Sequence, residues 1–329
     1  MSATRRQPFS FSLADSLLAE VAGIPQRLLH FDVDAICRAY EAIKPVASRL
    51  GIAPPAPRLA GFAYPHLAAL GATIRFTDFE PNVVPLLRSA EEIDHLREPD
   101  DYLAADLIRE RLRLLGELKK RHPNAGNWIG HEMEGPVTTA ALLLGQEFFT
   151  LPYLDPERAH RLLGFCVKSA LNYAAAITEH FGGTIQPGPK WIPDDFAGMF
   201  PAPVFREFVA PYWNAVYEGL KATRRGVHSE LLRVEHLPFL QELHIEEFDP
   251  GADQYLTPEL LRAHCPVRFQ CTIESWHIRE LTCKELQAMY RRLASTEPFL
   301  ISFSMDRLVD EPKVVALLQV ARELAGQSG

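Results

Sequence analysis

The sequence predicts an α/β fold, a single (β/α)₈ barrel, and three observations lead to this prediction. Short apolar, β-branched segments alternate with long amphipathic segments over most of the 329 residues, as strands alternate with helices in such barrels. Eight of the short segments can be counted, which is the number of strands that closes a parallel barrel. Most of them end on Asp, Glu or His, and a barrel would gather these side chains at the face where its strands end.

The predicted elements are short strands in alternation with amphipathic helices. The strands are expected near residues 57–64, 72–79, 126–134, 182–187, 226–231, 243–249, 267–274 and 298–304. The strongest helical patterns, with apolar residues three and four positions apart, cover residues 102–120, 156–181, 201–223, 282–293 and 311–324. No linker divides the pattern, so we expect one barrel domain.

The first 56 residues are predicted to form a helical N-terminal extension ahead of the barrel. Apolar residues recur at helical spacing in 12–21 and in 31–50. A proline-rich stretch at 54–57 ends the pattern, because proline has no N–H for a helical hydrogen bond. The predicted division is therefore an extension over residues 1–56 and a barrel over residues 57–329.

Composition excludes several classes of protein. A formal net charge of -8 disfavours binding to nucleic acid. The five cysteines show neither a CxxC pair nor a framework spacing, which favours a reducing, cytoplasmic location. No apolar stretch is long enough to span a bilayer. The sequence also contains no G-x-S-x-G, P-loop, dinucleotide fingerprint or H-E-x-x-H, so hydrolase, nucleotide-dependent and zincin functions are not supported.

An ordered series of short blocks resembles the uroporphyrinogen decarboxylase superfamily. The blocks are Gly135-Pro136-Val137-Thr138-Thr139-Ala140, the segment 194–205 that begins Asp194-Asp195-Phe196-Ala197-Gly198-Met199-Phe200, Val227-His228, Asp249-Pro250-Gly251 and Gln270-Cys271-Thr272-Ile273-Glu274. The resemblance covers roughly residues 57 to 325, and its specificity lies in the order of the blocks. It implies a TIM-like barrel, in agreement with the strand count.

The superfamily contains true decarboxylases and zinc-dependent methyltransferases that work with corrinoid proteins. Phe76-Thr77-Asp78 is similar to the decarboxylase segment whose aspartate faces the tetrapyrrole. The decarboxylases' Arg-rich N-terminal segment has no counterpart, and their C-terminal Gly-His-Gly is replaced by Phe303-Ser304-Met305-Asp306. A substrate with eight carboxylates needs cationic partners, so the sequence favours the methyltransferase branch.

In that branch a His-x-Cys after the fifth strand and a later Cys bind zinc. The matching positions are His228-Ser229-Glu230, so the resemblance implies His228 and Glu230 as ligands. A spacing of two along a strand places both side chains on the same side. Candidates for the third ligand are Glu274, His277 and Asp306. The alternatives are a core role for His228 and an ion pair between Glu274 and Arg279.

Further site residues are expected at the barrel mouth. Asp78, Asp194 and Asp195 are predicted to be catalytic, by orienting the substrate or by carrying a proton, although Asp194 and Asp195 are also suited to capping a helix. Asp249 is equally consistent with a turn cap and with a site residue. The predicted substrate-binding residues are Tyr64, His131, Glu134, Trp191, Phe196 and Trp276.

The functional prediction is a metal-dependent methyltransferase of the O-demethylation type. Zinc would activate the ether oxygen of a methoxylated aromatic substrate. The methyl group would pass to a corrinoid on a partner protein, because the chain has no corrinoid-binding D-x-H-x-x-G. The alternatives are a decarboxylase or lyase acting on a small carboxylic acid, and a ligand-binding homologue without catalysis. The expected partners are the small-molecule substrate and the corrinoid protein, and a homodimer is left open.

Overall fold

The computed structural model describes residues 6–77, 81–129 and 133–326. Its central feature is a curled parallel sheet of six strands in the order β1-β8-β7-β6-β5-β4. The remaining two strands, β2 and β3, form a small antiparallel pair. In chain order the strands are β1 Phe9–Leu13, β2 Thr73–Arg75, β3 Asn82–Val84, β4 Gly188–Pro193, β5 Ala222–His228, β6 Ile245–Asp249, β7 Arg268–Ile273 and β8 Leu300–Met305.

Helices connect the strands and cover the outer face of the sheet. They are α1 Asp15–Ala22, α2 Val33–Ala42, α3 Lys44–Arg49, α4 Pro65–Ala69, α5 Asp106–Arg121, α6 Pro136–Leu144, α7 Leu151–Leu154, α8 Pro156–His180, α9 Ala202–Phe208, α10 Ala210–Gly219, α11 Leu237–Glu242, α12 Pro258–His264, α13 Ser275–Glu280, α14 Cys283–Ser295 and α15 Glu311–Ala325. None of the helices in the described ranges is long and apolar enough to cross a membrane.

The core lies between the sheet and these helices. In β8 the outward residues Ile301, Phe303 and Met305 are buried, whereas the residues between them are only partly buried. This alternation follows from the two-residue repeat of a strand. Apolar burial therefore fixes which face of each strand packs on the helices and which faces the inside of the curled sheet.

The predicted helices agree with the structure over most of their length, although the pattern over 102–120 contains a short 3-10 turn at 102–104 before α5 begins at Asp106. The pattern over 156–181 corresponds to α8, and those over 282–293 and 311–324 correspond to α14 and α15. The predicted helix over 201–223 is two helices, α9 and α10. Pro211 explains the break, because it cannot donate the hydrogen bond that would continue α9.

The eight-stranded barrel is confirmed only in part. The predicted strands near 226–231, 243–249, 267–274 and 298–304 overlap β5 to β8, and β4 begins just after the segment predicted at 182–187. In residues 72–77, the described part of the segment predicted near 72–79, the short β2 forms, and it pairs with β3 in a hairpin.

The described parts of the segments predicted near 57–64 and 126–134 are not strands. Arg111 supplies a physical reason. Its fully buried guanidinium donates to the carbonyls of Ala60 at 2.6 Å, Ile129 at 2.8 Å and His30 at 3.2 Å. Two of these carbonyls belong to the predicted strands, so a side chain satisfies them in place of a neighbouring strand.

The sequence predicts a helical N-terminal extension, but in the structure this segment begins with a strand. Residues 9–13 form β1, which pairs with β8 in register from Phe9 with Ile301 to Leu13 with Met305. The alternation Phe-Ser-Phe-Ser-Leu is a two-residue repeat that could have identified this strand. Three helices, α1 to α3, do follow it.

Candidate functional site

The centre of the candidate site is His228, the last residue of β5. Its Nδ1 lies 2.9 Å from Oδ2 of Asp249, the last residue of β6. Its Nε2 lies 3.2 Å from Oδ1 of Asp195, which follows β4. The sheet register sets this arrangement, because Pro193 pairs with His228 and His228 pairs with Asp249.

The two carboxylates determine the charge of His228. Burial by itself would lower the pKa of the imidazole, but the hydrogen bonds and charges of Asp195 and Asp249 raise it to about 10. In turn, burial would raise the pKa of Asp249, but His228 holds it below its ordinary value. At neutral pH His228 is therefore an imidazolium between two carboxylates.

Gly251 holds the turn beside this pair. Its N–H donates to Oδ1 of Asp249 at 2.9 Å, and its φ is +58°. A Cβ at this position would lie 2.8 Å from Cε1 of His228 and 2.7 Å from Oε1 of Glu230. Glycine is therefore required here both by the backbone conformation and by the available space.

Glu134 provides a second acidic group with different properties. Only 7% of the residue is exposed, and its Oε2 has no hydrogen-bond partner in the described part of the chain. Burial raises its pKa well above the ordinary value, and the charges of Asp195 and Asp194 add to the effect, which His228 opposes. Glu134 is therefore suited to remain a neutral acid that can donate a proton.

These groups line a cavity of about 680 Å³. Trp128, Trp191 and Met133 supply apolar surface, and Lys190 supplies a cation. Trp191 is 40% exposed, and its indole lies against β5 over Gly226, where a Cβ would come within 2.4 Å of the ring. The cavity thus combines an aromatic wall with an imidazolium and a neutral acid, which suits a flat ligand with a polar oxygen.

Asp194, predicted to be catalytic with Asp195, lies in the protein interior. It is fully buried and accepts hydrogen bonds from the N–H groups of Thr138 at 2.7 Å and Val137 at 3.2 Å, and from Nε1 of Trp213 at 2.7 Å. Burial raises its pKa to about 6 against the effect of these hydrogen bonds. Its carboxylate thus binds the first turn of α6, whereas the capping alternative from the sequence concerned the helix after Phe200, which has no side-chain cap.

The other predicted substrate-binding and catalytic residues are dispersed. Asp78 and His131 lie outside the described residues. Tyr64 is next to Ala63, which lines the cavity, and Phe196 packs edge-on against Phe149 with ring centroids 6.0 Å apart. Trp276 lines a different cavity and stacks on His277, with 3.6 Å between ring centroids.

The side chains implied as zinc ligands do not converge on one point. Oε1 of Glu230 accepts from the N–H of Ala252 at 3.2 Å, and Nδ1 of His277 accepts from the N–H of Glu274 at 3.2 Å. Asp306 accepts from Ser304 at 2.7 Å. Within residues 6–77, 81–129 and 133–326, no three His, Cys, Asp or Glu side chains could hold a metal ion together.

His228 is also unsuited to zinc as it stands. Both ring nitrogens already contact carboxylates, Asp249 at Nδ1 and Asp195 at Nε2, so a metal ion would have to displace one of them. The residues present therefore do not fit a zinc ion at His228 and Glu230. Among the described residues no ion pair joins Glu274 to Arg279, the alternative considered for Glu274, and the guanidinium of Arg279 lies 3.8 Å from Asp306.

Sequence reasoning identified His228, Asp195, Glu134 and Trp191 but left Asp249 undecided. Asp249 is both a turn cap and a site residue, because its two oxygens serve Gly251 and His228 separately. Lys190 and Trp128 were missed. A signal for Lys190 was available, since it lies in the same short segment as Trp191 and shortly before Asp194 and Asp195.

A parallel sheet with acidic and histidine residues at its strand ends is typical of α/β enzymes. The sequence matches the family Uroporphyrinogen decarboxylase (URO-D) over residues 64–249, and the chain belongs to this family.

Comparison with solved structures supports the fold. In this comparison, 23 chains of solved structures match the protein. One of them, a methyltransferase from Methanosarcina mazei, superimposes with a TM-score of 0.68 at 16% sequence identity, over 98% of this chain and 94% of that one. A likeness at this identity establishes the fold alone. No curated protein sequence matches significantly.

Proposed function

We propose that the chain is a methyltransferase of the O-demethylation type. It would move a methyl group from a methoxylated aromatic substrate to a corrinoid carried by a partner protein. Membership of the URO-D family and the methyltransferase among its structural neighbours support this class of reaction. The aromatic wall formed by Trp128 and Trp191 supports a flat substrate.

The observation that carries the proposal is the pair of proton-bearing groups in one cavity, Glu134 and His228. Cleavage of a methyl ether leaves an electron pair on oxygen, and a proton supplied there makes the leaving group a neutral phenol. A reduced corrinoid would supply the electron pair that captures the methyl group. We assign the donation of this proton to Glu134. The imidazolium of His228 would stabilise negative charge on the departing oxygen.

Because the described residues do not fit zinc, no step of this reaction is assigned to a metal. Asp195 and Asp249 hold the His228 ring in place and keep it charged. The buried carboxylate of Asp194 fixes the start of α6 and the loop that carries Asp195. Each of these side chains therefore has a role in positioning or in charge.

The test is methyl transfer to free cob(I)alamin with a panel of methoxyaromatics. We expect methylcobalamin to form as the ether is consumed, and Glu134→Gln to slow the reaction by about 10²- to 10⁴-fold, the usual contribution of a general acid. Exposed Glu207→Gln is the matched control and should leave the rate unchanged. The proposal fails if no member of the panel yields methylcobalamin.

One observation favours a second candidate, a decarboxylase or lyase acting on a small carboxylic acid. Lys190 and the imidazolium of His228 line the same cavity and could pair with a substrate carboxylate. Glu134 would then protonate the carbanion left after CO₂ departs. Release of CO₂ from small aromatic acids, without any corrinoid, would support this candidate over methyl transfer.

A further inference from the structure

Hydroxyl side chains occupy the inner face of three neighbouring strands. The register pairs Ser10 with Ser302 and Ser12 with Ser304 across β1 and β8, and it pairs Thr272 with Ser302 across β7 and β8. Oγ1 of Thr272 lies 2.9 Å from Oγ of Ser302. The hydroxyls thus form two rows that run across the strands.

This composition is unusual for the inside of a parallel barrel. That space is normally filled by Val, Ile and Leu side chains in layers. Here the inward residues are small and polar, and they leave a cavity of about 270 Å³. Liquid water would fill such a volume with on the order of nine molecules, at roughly 30 Å³ each. The space is sufficient for one small ring with its substituents.

The carboxylates of Glu274 and Asp306 also line the cavity, together with Ser275, Ile273 and Phe303. Glu274 follows β7, which lies between β6, ending at Asp249, and β8, leading to Asp306. The hydroxyl-lined cavity is thus a compartment next to the candidate site, with lining residues of its own.

The lining restricts the chemistry of an occupant. None of the described residues that line the cavity is a cation, although Arg279 lies 3.8 Å from Asp306. The carboxylates therefore disfavour an anion by repulsion. Thr272 and Ser302 pair with each other and Ser304 donates to Asp306, but an apolar group would still cover the carboxylates and the hydroxyls of Ser10 and Ser12 without offering them hydrogen bonds, which is costly. A neutral group with several hydroxyls can donate to the carboxylates and exchange hydrogen bonds with Ser and Thr.

We propose that the hydroxyl-lined cavity binds a neutral polyhydroxylated group of the size of a single sugar ring. The proposal is independent of the reaction proposed above, because it rests on the inner faces of β1, β7 and β8. It adds a second binding compartment to the interior of the sheet, beside His228.

The test is equilibrium binding of methyl α-glucopyranoside and myo-inositol to the intact protein, measured by saturation-transfer NMR and calorimetry. Thr272→Val keeps the shape of the side chain and removes its hydroxyl, so it should raise the dissociation constant about three- to tenfold, as expected for one neutral hydrogen bond. Ser10→Ala, at an exposed position, gives a second variant with little risk to folding.

The matched control is Thr223→Val, an exposed threonine on β5 outside the cavity, which should bind as the unaltered protein does. Cyclohexanol and glucose 6-phosphate should bind more weakly than the neutral polyols. Absence of polyol binding, equal binding by the Thr272 and Thr223 variants, or tighter binding of the phosphate would each overturn the proposal. Methyl transfer is not measured in this test, so its failure and that of the proposed function are distinguishable.

Discussion

Nδ1 of His228 lies 2.9 Å from Oδ2 of Asp249, and the two residues are register partners at the ends of neighbouring strands. This contact joins the fold to the chemistry of the site. Because Asp195 lies on the other side of the ring, the imidazole is held at both nitrogens. The charge and orientation of His228 are therefore set by the sheet.

Asp249→Asn should lower the pKa of His228 from about 10 by roughly one to three units, because it removes one of two neighbouring negative charges. The titration of the ring, followed by NMR, measures this. Glu246→Gln, an exposed change on the same strand, is the control. An unchanged His228 titration would show that Asp249 does not set its charge.

Replacement of Glu134 by Gln should stabilise the protein at neutral pH. The folded-state pKa of Glu134 is raised, so its contribution to stability is complete below its unfolded value near 4.5 and is lost as pH rises through the folded pKa. Glutamine stays neutral and does not incur this loss. In urea unfolding, the free energy of unfolding of Glu134→Gln should exceed that of the unaltered protein by about 1–3 kcal/mol, and this difference should widen as pH rises. If the difference in free energy of unfolding narrows as pH rises, the assignment of Glu134 as a neutral acid is wrong.

Gly251→Ala should displace His228 as well as strain the turn. Gly23→Ala provides the control, because Gly23 has a similar φ of +63° but nothing within 4 Å of the added Cβ. Both changes should cost about 1–2 kcal/mol for the left-handed backbone. Only Gly251→Ala should also shift the NMR signals of His228. If both changes shift the His228 signals equally, the claim that a Cβ at position 251 displaces His228 is wrong.

The environment of His228 predicts that the purified protein carries well below one zinc per chain. Both ring nitrogens of His228 are already in contact with carboxylates, and Glu230 is directed to the amide of Ala252, so the two side chains do not converge on one point. Elemental analysis of protein prepared without chelators measures this. Stoichiometric zinc that is lost in His228→Ala would reverse our assignment and restore the metal site implied by the sequence.

Much of the local structure was determined by the sequence alone. The amphipathic pattern over 156–181 predicts α8 to within one residue at its C-terminal end. This is possible because helical periodicity depends only on residues that are close together in the sequence. The approximate positions of β5 to β8 follow from short apolar, β-branched segments, which are also local patterns. The convergence of strand ends also predicted that Asp195 and His228 would lie at one face.

Tertiary structure decided the contacts that sequence spacing could not. A spacing of two places His228 and Glu230 on one side only while the strand continues, but β5 ends at His228 and Glu230 turns to Ala252. The partner of His228 is instead Asp249, which is 21 residues away and is selected by register between strands. Local patterns specify elements, whereas pairing between elements depends on how they pack, and the site is formed by that pairing.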